Sequence, residues 1–204
     1  MLDLDRIRST PVRTDPYPFM VVTGTLQPQG VDALLRDFPQ IRHPGSIPVS
    51  EVEHGPAFAQ LLGELESPEF RRLIEEKFGL DLSDKPIMTT VRGMMRGHRD
   101  GRIHTDSKDK LVTVLLYFNA DWHDAGGHLR ILRSRDNLDD YVAEIPPRLG
   151  NMVIFQVTDN GWHGHKPVDG KRLSIQMNYL TGGAASARHQ FLHRLSARLK
   201  KLKG

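Results

Sequence analysis

His104-Thr105-Asp106 places an imidazole and a carboxylate two residues apart. On an extended chain residues i and i+2 point to the same side, so this pair is placed to grip one metal ion. A third ligand must come from elsewhere, and Trp162-His163-Gly164-His165 lies 57 residues after Asp106. If that segment is a strand, His163 and His165 face the same way and periodicity does not separate them. Two histidines and one carboxylate on one face of a metal, with the other face open, form the ligand set of non-haem Fe(II) oxygenases.

A second group of residues follows the histidines. Pro167-Val168-Asp169-Gly170-Lys171-Arg172-Leu173-Ser174-Ile175 reads as a turn and then a strand on which Arg172 and Ser174 share a face. A guanidinium beside a hydroxyl suits a carboxylate, because Arg offers bidentate charge-assisted bonds and Ser adds one more donor. A metal triad next to such a clamp implies a dicarboxylate or keto acid reaching from the clamp to the metal. Tyr117 stands in an apolar strand pattern and reads from that pattern as a core aromatic. Arg92, Arg96, Arg99 and Arg102 crowd the stretch before the first ligand, and solvated loop and strand-edge charges are the plainer account of them. His128 is expected to reach the barrel interior, whereas His98 and His123 read as surface residues. Trp122 and Trp162 read as packing or rim residues, Trp162 adjoining the third ligand.

These residues need a scaffold of strands. Between Pro86 and Leu180 short β-rich runs succeed one another at Ile87–Met95, Leu111–Asn119, His128–Leu132, Asn151–Val157 and Arg172–Tyr179. Turn signals separate them at Ala125-Gly126-Gly127, Pro146-Pro147-Arg148-Leu149-Gly150 and Asp169-Gly170. Upstream, one strand pattern spans Phe19–Leu26 and helical patterns span Pro28–Phe38, Pro56–Leu65 and Ser67–Phe78, the last with Ser67 as cap and Pro68 at its first position. Helices segregated from many short strands argue for a β-sandwich or small barrel. The 204 residues read as a single domain: 1–85 as N-terminal support, 86–181 as the β core, and 184–202 as a C-terminal helix.

Composition narrows the function classes. The chain has no cysteine, which excludes disulfide scaffolds, thiol catalysis and cysteine-bound metals. Its start is too charged for a signal peptide and no apolar run approaches spanning length, so a cytoplasmic protein is expected. The formal net charge is +3, from 28 basic and 25 acidic residues. Six basic side chains and no acidic one lie in residues 188–204, so the remainder is slightly acidic. That basic helix reads first as a packed Leu stripe with solvated Lys and Arg, and second as a nucleic-acid or membrane contact, for which the sequence offers no firm support.

The spacing of His104-x-Asp106, His163, Pro167 four residues later and Arg172 nine residues later resembles the 2-oxoglutarate/Fe(II)-dependent dioxygenases of the prolyl 4-hydroxylase-like branch. Leu115-Leu116-Tyr117-Phe118-Asn119-Ala120-Asp121-Trp122, followed by Gly126-Gly127-His128-Leu129-Arg130, also resembles that branch, and the likeness runs from about Val91 to Tyr179. It implies a mainly β fold with flanking helices: a double-stranded β-helix, the jelly roll or cupin-like barrel. It implies His104, Asp106 and His163 as metal ligands, His165 either supporting a ligand or lining the cavity, and Arg172, Ser174 and Tyr117 as residues binding the cosubstrate. The cofactor set it implies is Fe(II), 2-oxoglutarate and O2, with ascorbate as an optional reductant. The reaction is hydroxylation of a small molecule or peptide with formation of succinate and CO2. Some relatives carry an aromatic about ten residues before the first ligand, where this chain has Met94. The competing readings are a cupin-like metal-binding sensor and a non-oxidative metal lyase or isomerase, and both leave Arg172 without a role.

Overall fold

Alternation along the strands decides which face of each one is covered by helices and which faces a second sheet. The computed structural model describes residues 1–95 and 101–182. Helix α1 (Leu4–Ser9) precedes strand β1 (Phe19–Val22), helix α2 (Val31–Asp37), strand β2 (Ile47–Pro48) and helices α3 (Pro56–Leu65) and α4 (Pro68–Phe78). Strands β3 (Ile87–Met95), β4 (Lys110–Tyr117), β5 (Leu129–Leu132), β6 (Tyr141–Ile145), β7 (Met152–Gln156), β8 (His163–Gly164) and β9 (Gly170–Leu180) follow. They form a six-stranded sheet in the order β1-β7-β4-β9-β3-β2 and a three-stranded sheet in the order β6-β5-β8. Every pairing is antiparallel. This is the jelly-roll arrangement expected from the sequence, mainly β with flanking helices.

The large sheet buries both faces. Met20, Val22, Val112, Val114, Leu116, Met152, Ile154, Ile175 and Met177 pack in one cluster with Phe58, Leu61, Phe70 and Leu73 of α3 and α4. The alternate residues Phe19, Tyr117, Val153 and Phe155 pack instead with Leu129, Ile131 and Ile145 of the small sheet. Burial at about 25 cal/mol per Å² favours both packings, and a one-residue slip would exchange the two faces.

Local signals explain most boundaries. In α4 the Ser67 hydroxyl accepts the Phe70 N–H at 3.1 Å, Pro68 opens the helix and Gly79 closes it at φ 65°. The strand expected over Phe19–Leu26 stops at Val22, and Gly24 turns there at φ 66°. The helix expected over Pro28–Phe38 divides into a 3-10 turn at Pro28–Gly30 and α2. The short elements α1, β2 and β6 carry little apolar pattern: α1 buries only Ile7, and β6 is a half-exposed edge strand. The C-terminal helix expected over 184–202 lies outside the described residues, as do His98, Arg96 and Arg99. Among the described residues no helix is long and apolar enough to cross a membrane.

Candidate active site

The inner face of the large sheet carries the polar residues of the site. Strand β4 turns Thr113, Leu115 and Tyr117 towards a cavity of about 310 Å³, and β9 turns Arg172, Ser174 and Gln176 to the same cavity. The cavity is closed from the small-sheet side by Leu129, His163 and His165. In register, Tyr117 stands opposite Ser174 on one side and Arg92 of β3 stands opposite Ser174 on the other. The three side chains therefore form one row across adjacent strands.

His104 and His163 are brought together by main chain. Each donates its backbone N–H to the other's carbonyl at 3.0 Å, which extends the small sheet by one residue beyond β8. Their rings are 4.3 Å apart between centroids. The Nδ1 of His104 lies 2.8 Å from the Arg102 carbonyl, and the Nδ1 of His163 lies 2.9 Å from that of Gly161. A carbonyl only accepts, so each Nδ1 carries a proton, which leaves Nε2 as the nitrogen through which each ring would hold a metal. Burial, reinforced by the neighbouring His104, pushes the His163 imidazole down to about 4, so it is neutral at physiological pH.

Asp106 completes the cluster, and one ligand atom from each of His104, Asp106 and His163 lies within 4.8 Å of the others. The His-x-Asp pair does not sit on a regular strand, as the i, i+2 argument supposed. His104 makes a single bridge, and Asp106 lies in the connection entering β4. The carboxylate is fixed by its surroundings instead: Thr113 Oγ1 donates to Oδ2, and Lys110 Nζ stands 3.2 Å from Oδ1. Asn178 Nδ2 donates to Thr113 Oγ1 at 2.7 Å and so orients that hydroxyl towards Asp106. Burial alone would raise the Asp106 carboxyl, but the Lys110 charge, His163 and the Thr113 bond outweigh it and hold the group below the usual carboxylate range.

Thr113, Lys110 and Asn178 were not singled out in the sequence. The period that puts Arg172, Ser174 and Gln176 on one face also puts Asn178 there, and Tyr117 and Leu115 lead likewise to Thr113. The Thr113→Val variant keeps the shape, removes the donor to Asp106 and strands the Asn178 amide. Fe(II) affinity, measured by anaerobic titration, is expected to fall by roughly 10–100-fold, the usual cost of losing a group that orients a metal ligand.

Arg172 is 5% exposed and held at three points. Its Nε donates to the Gly127 carbonyl at 2.9 Å, its Nη2 donates to the Tyr117 hydroxyl at 3.4 Å, and its guanidinium carbon lies 4.9 Å from the Tyr117 ring centroid. Gly127 has φ 73°, and a Cβ there would come within 2.7 Å of Trp122 Cζ2 and 3.0 Å of Val168 Cγ1. Only glycine lets this turn approach closely enough to present its carbonyl to Arg172. Burial raises the Tyr117 hydroxyl, with Arg172 opposing, so the group remains a protonated donor at neutral pH. Ser174 is buried on the same lining.

The remaining candidates are sorted by position. His165 lines the cavity beside the triad but is not part of the cluster; its N–H donates to the Gly101 carbonyl at 2.8 Å. A side chain at position 101 would collide with the His165 ring, at 2.3 Å from Nδ1. His128 does not reach the interior: it faces Glu144 at 3.7 Å, while Leu129 takes the inward position. Trp122 packs with Met95 and Val168 and donates Nε1–H to the Gly126 carbonyl at 3.0 Å. Trp162 is half-buried and does not line the cavity. Arg92 departs from the solvated role expected of it, since the β3–β9 register turns it into the cavity.

Residues 88–180 match the family model described as the 2OG-Fe(II) oxygenase superfamily. The match covers the β core, and with the His104, Asp106 and His163 cluster it makes the protein an enzyme of the dioxygenase class; the matched superfamily implies Fe(II), 2-oxoglutarate and O2 as cofactors, and the two imidazoles and one carboxylate fit iron. The fold is shared with prolyl hydroxylases. A prolyl 4-hydroxylase of Pseudomonas putida is 19% identical with a TM-score of 0.56 over 88% of this chain and 97% of that one. Prolyl 4-hydroxylase from Phytophthora capsici is 17% identical with a TM-score of 0.61 over 96% and 76%. A prolyl hydroxylase of Trichoplax adhaerens, in complex with a hypoxia inducible factor peptide fragment, is 18% identical with a TM-score of 0.53 over 86% and 88%. No curated protein sequence matches the chain.

Proposed function

We propose that this enzyme hydroxylates a small molecule or peptide with conversion of 2-oxoglutarate to succinate and CO2, using His104, Asp106 and His163 to hold Fe(II) and Arg172, Tyr117 and Ser174 to hold the cosubstrate. The carrying observation is that a cluster of two imidazoles and one carboxylate lines the same cavity as a buried guanidinium. The donor set suits Fe(II), leaving an open face for exchangeable ligands. Bound there, iron supplies a redox-active Lewis acid that couples O2 reduction to oxidation of the cosubstrate and of a C–H bond. The chain's own residues bind and orient. Arg172 takes the distal carboxylate by charge-assisted bonds, Tyr117 and Ser174 add hydroxyl donors, and Leu115, Leu129 and Phe155 keep the interior dry.

Residues 1–85 act as support for the core at 86–181, because α3 and α4 cover the outer face of the sheet whose inner face holds the site. A metal sensor, lyase or isomerase would have no use for the Arg172 clamp. The test is anaerobic addition of Fe(II) and 2-oxoglutarate, with ascorbate as reductant in the later aerobic assay. A visible metal-to-ligand charge-transfer band is expected, followed by succinate formation on admitting O2. Iron binding without that band would overturn the reading.

A further inference from the structure

A line of side-chain hydrogen bonds runs from the Asp106 carboxylate to the cavity wall. Thr113 Oγ1 donates to Asp106 Oδ2, Asn178 Nδ2 donates to Thr113 Oγ1 at 2.7 Å, and Gln176 Nε2 donates to Asn178 Oδ1 at 3.3 Å. The direction of the line is fixed at its Asp106 end. A carboxylate paired with Lys110 Nζ at 3.2 Å only accepts, so the single Thr113 hydroxyl proton goes to it. Thr113 Oγ1 then accepts its next bond, which turns Nδ2 of Asn178 towards it and Oδ1 away. Oδ1 in turn requires Nε2 of Gln176. What remains at the far end is Gln176 Oε1, a carbonyl oxygen that only accepts. Among the described residues no donor reaches it.

Thr113 and Asn178 are buried, and the line surfaces only at half-buried Gln176. Gln176 borders both the cavity of the clamp and a second one of about 250 Å³, and the two also share Arg92, His104 and Asp106. Of these two cavities, Arg172, Tyr117 and Ser174 border only the first. The Gln176 backbone is held from both sides, opposite Leu115 of β4 and Thr90 of β3, and Thr90 Oγ1 donates to its carbonyl at 3.4 Å. A rigid sheet therefore presents Oε1 where the cavities meet, beside two of the three metal-binding candidates. The cosubstrate does not satisfy it, since 2-oxoglutarate at neutral pH is a keto dicarboxylate with no O–H or N–H.

Resting on the dioxygenase reading above, we propose that Gln176 determines specificity: its Oε1 accepts a hydrogen bond from an O–H or N–H group of the substrate, so the enzyme acts on compounds bearing a hydroxyl or a carboxamide beside the reacting carbon. Ser46, Thr90, Ser107 and Lys110 line the second cavity and give such a group a polar wall. A prolyl residue within a peptide has no N–H and offers only the C–H groups of its ring. Bound here it would leave Oε1 cut off from water without a partner, the costly state for a carbonyl.

The experiment follows succinate formation above the uncoupled background with matched probes. Tripeptides with Ser, Asn or Gln at the centre are each compared with the O-methyl or N,N-dimethyl counterpart and with the same tripeptide carrying Pro. Small alcohols, sugars and primary amides are compared with their methylated forms in the same way, which separates free small molecules from peptide side chains. Donor-bearing probes are expected to stimulate turnover at least about tenfold more than their methylated or prolyl partners, the effect of an unmet buried acceptor. Gln176→Met keeps the volume and removes both amide atoms. In it the discrimination is expected to collapse, while the anaerobic charge-transfer band persists and Fe(II) affinity changes only a few-fold, because Thr113 and Asn178 remain on Asp106.

Methylated or prolyl probes that stimulate as well as donors overturn the proposal, and so does a panel in which no donor stimulates. Discrimination that survives in folded Gln176→Met protein also overturns it, since rejection by bulk alone would survive; with Fe(II) affinity lowered as far as in Thr113→Val, it would make Gln176 a support of Asp106 only. Absence of the band in the unsubstituted enzyme would instead sink the dioxygenase reading itself. If Gln176→Met fails to fold, the prolyl and methylated comparisons on unsubstituted enzyme decide the matter.

Discussion

In His163→Ala, Fe(II) affinity is expected to fall by more than about 100-fold, because removal of a ligand should exceed the cost of disturbing the groups that orient one. In His165→Ala it is expected to change only by a few-fold. The two residues are two apart and both buried, so the comparison controls for the segment they share. The pairing of His163 with His104 uses backbone N–H and carbonyl groups on both sides, and alanine keeps them. What alanine removes is an Nε2 lone pair presented by a ring whose Nδ1–H is anchored 2.9 Å from the Gly161 carbonyl. Circular dichroism verifies the fold, and anaerobic Fe(II) titration with 2-oxoglutarate present reads the affinity. A larger loss at His165 than at His163 would reverse the ligand assignment.

Arg172→Ala is expected to weaken 2-oxoglutarate binding by roughly 10²–10³-fold, read as Kd from the charge-transfer band and as KM from succinate formation. The size follows from leaving a buried carboxylate without its counterion, about 3–5 kcal/mol, at about 1.4 kcal/mol per factor of ten. Arg172→Lys restores the charge but not the fork that reaches Gly127 and Tyr117 together, so recovery should be partial. Fe(II) affinity without cosubstrate should move little, since the Arg172 hydrogen bonds go to Gly127 and Tyr117 and none goes to the triad. Unchanged cosubstrate affinity in folded Arg172→Ala protein would move the clamp elsewhere in the cavity, with Arg92 the next cation on that lining.

Strand positions were legible because period-2 alternation and Gly or Pro turns are local properties. The runs around β3, β4, β7 and β9 are rich in strand-forming residues, and each was readable within a residue or two. Strands β6 and β8 were not. Tyr141–Ile145 is half-exposed with a weak pattern, and His163–Gly164 is two residues long and becomes a strand only by pairing with β5. His128 illustrates the same limit. Its expected place inside rested on no contact partner, whereas pairing of β5 with β6 and β8 turns Leu129 and Ile131 inward and leaves His128 facing Glu144.

The chain alone determined the donor types and their order: His104-x-Asp106, a histidine pair at 163 and 165, then Arg172 with Ser174 two residues on. Residue chemistry and short spacing are carried within a few bonds, so they need no tertiary structure to be read. Strand periodicity left His163 and His165 equivalent and only the family-like spacing to Pro167 and Arg172 favoured His163; tertiary structure brings His163 to His104 across a backbone bridge. It also decided that Lys110, Thr113 and Asn178 hold Asp106 in place, and that Arg92 faces inward beside Ser174. Those are contacts between strands distant in sequence, set by register and pleat, and no single segment records which neighbour it will have.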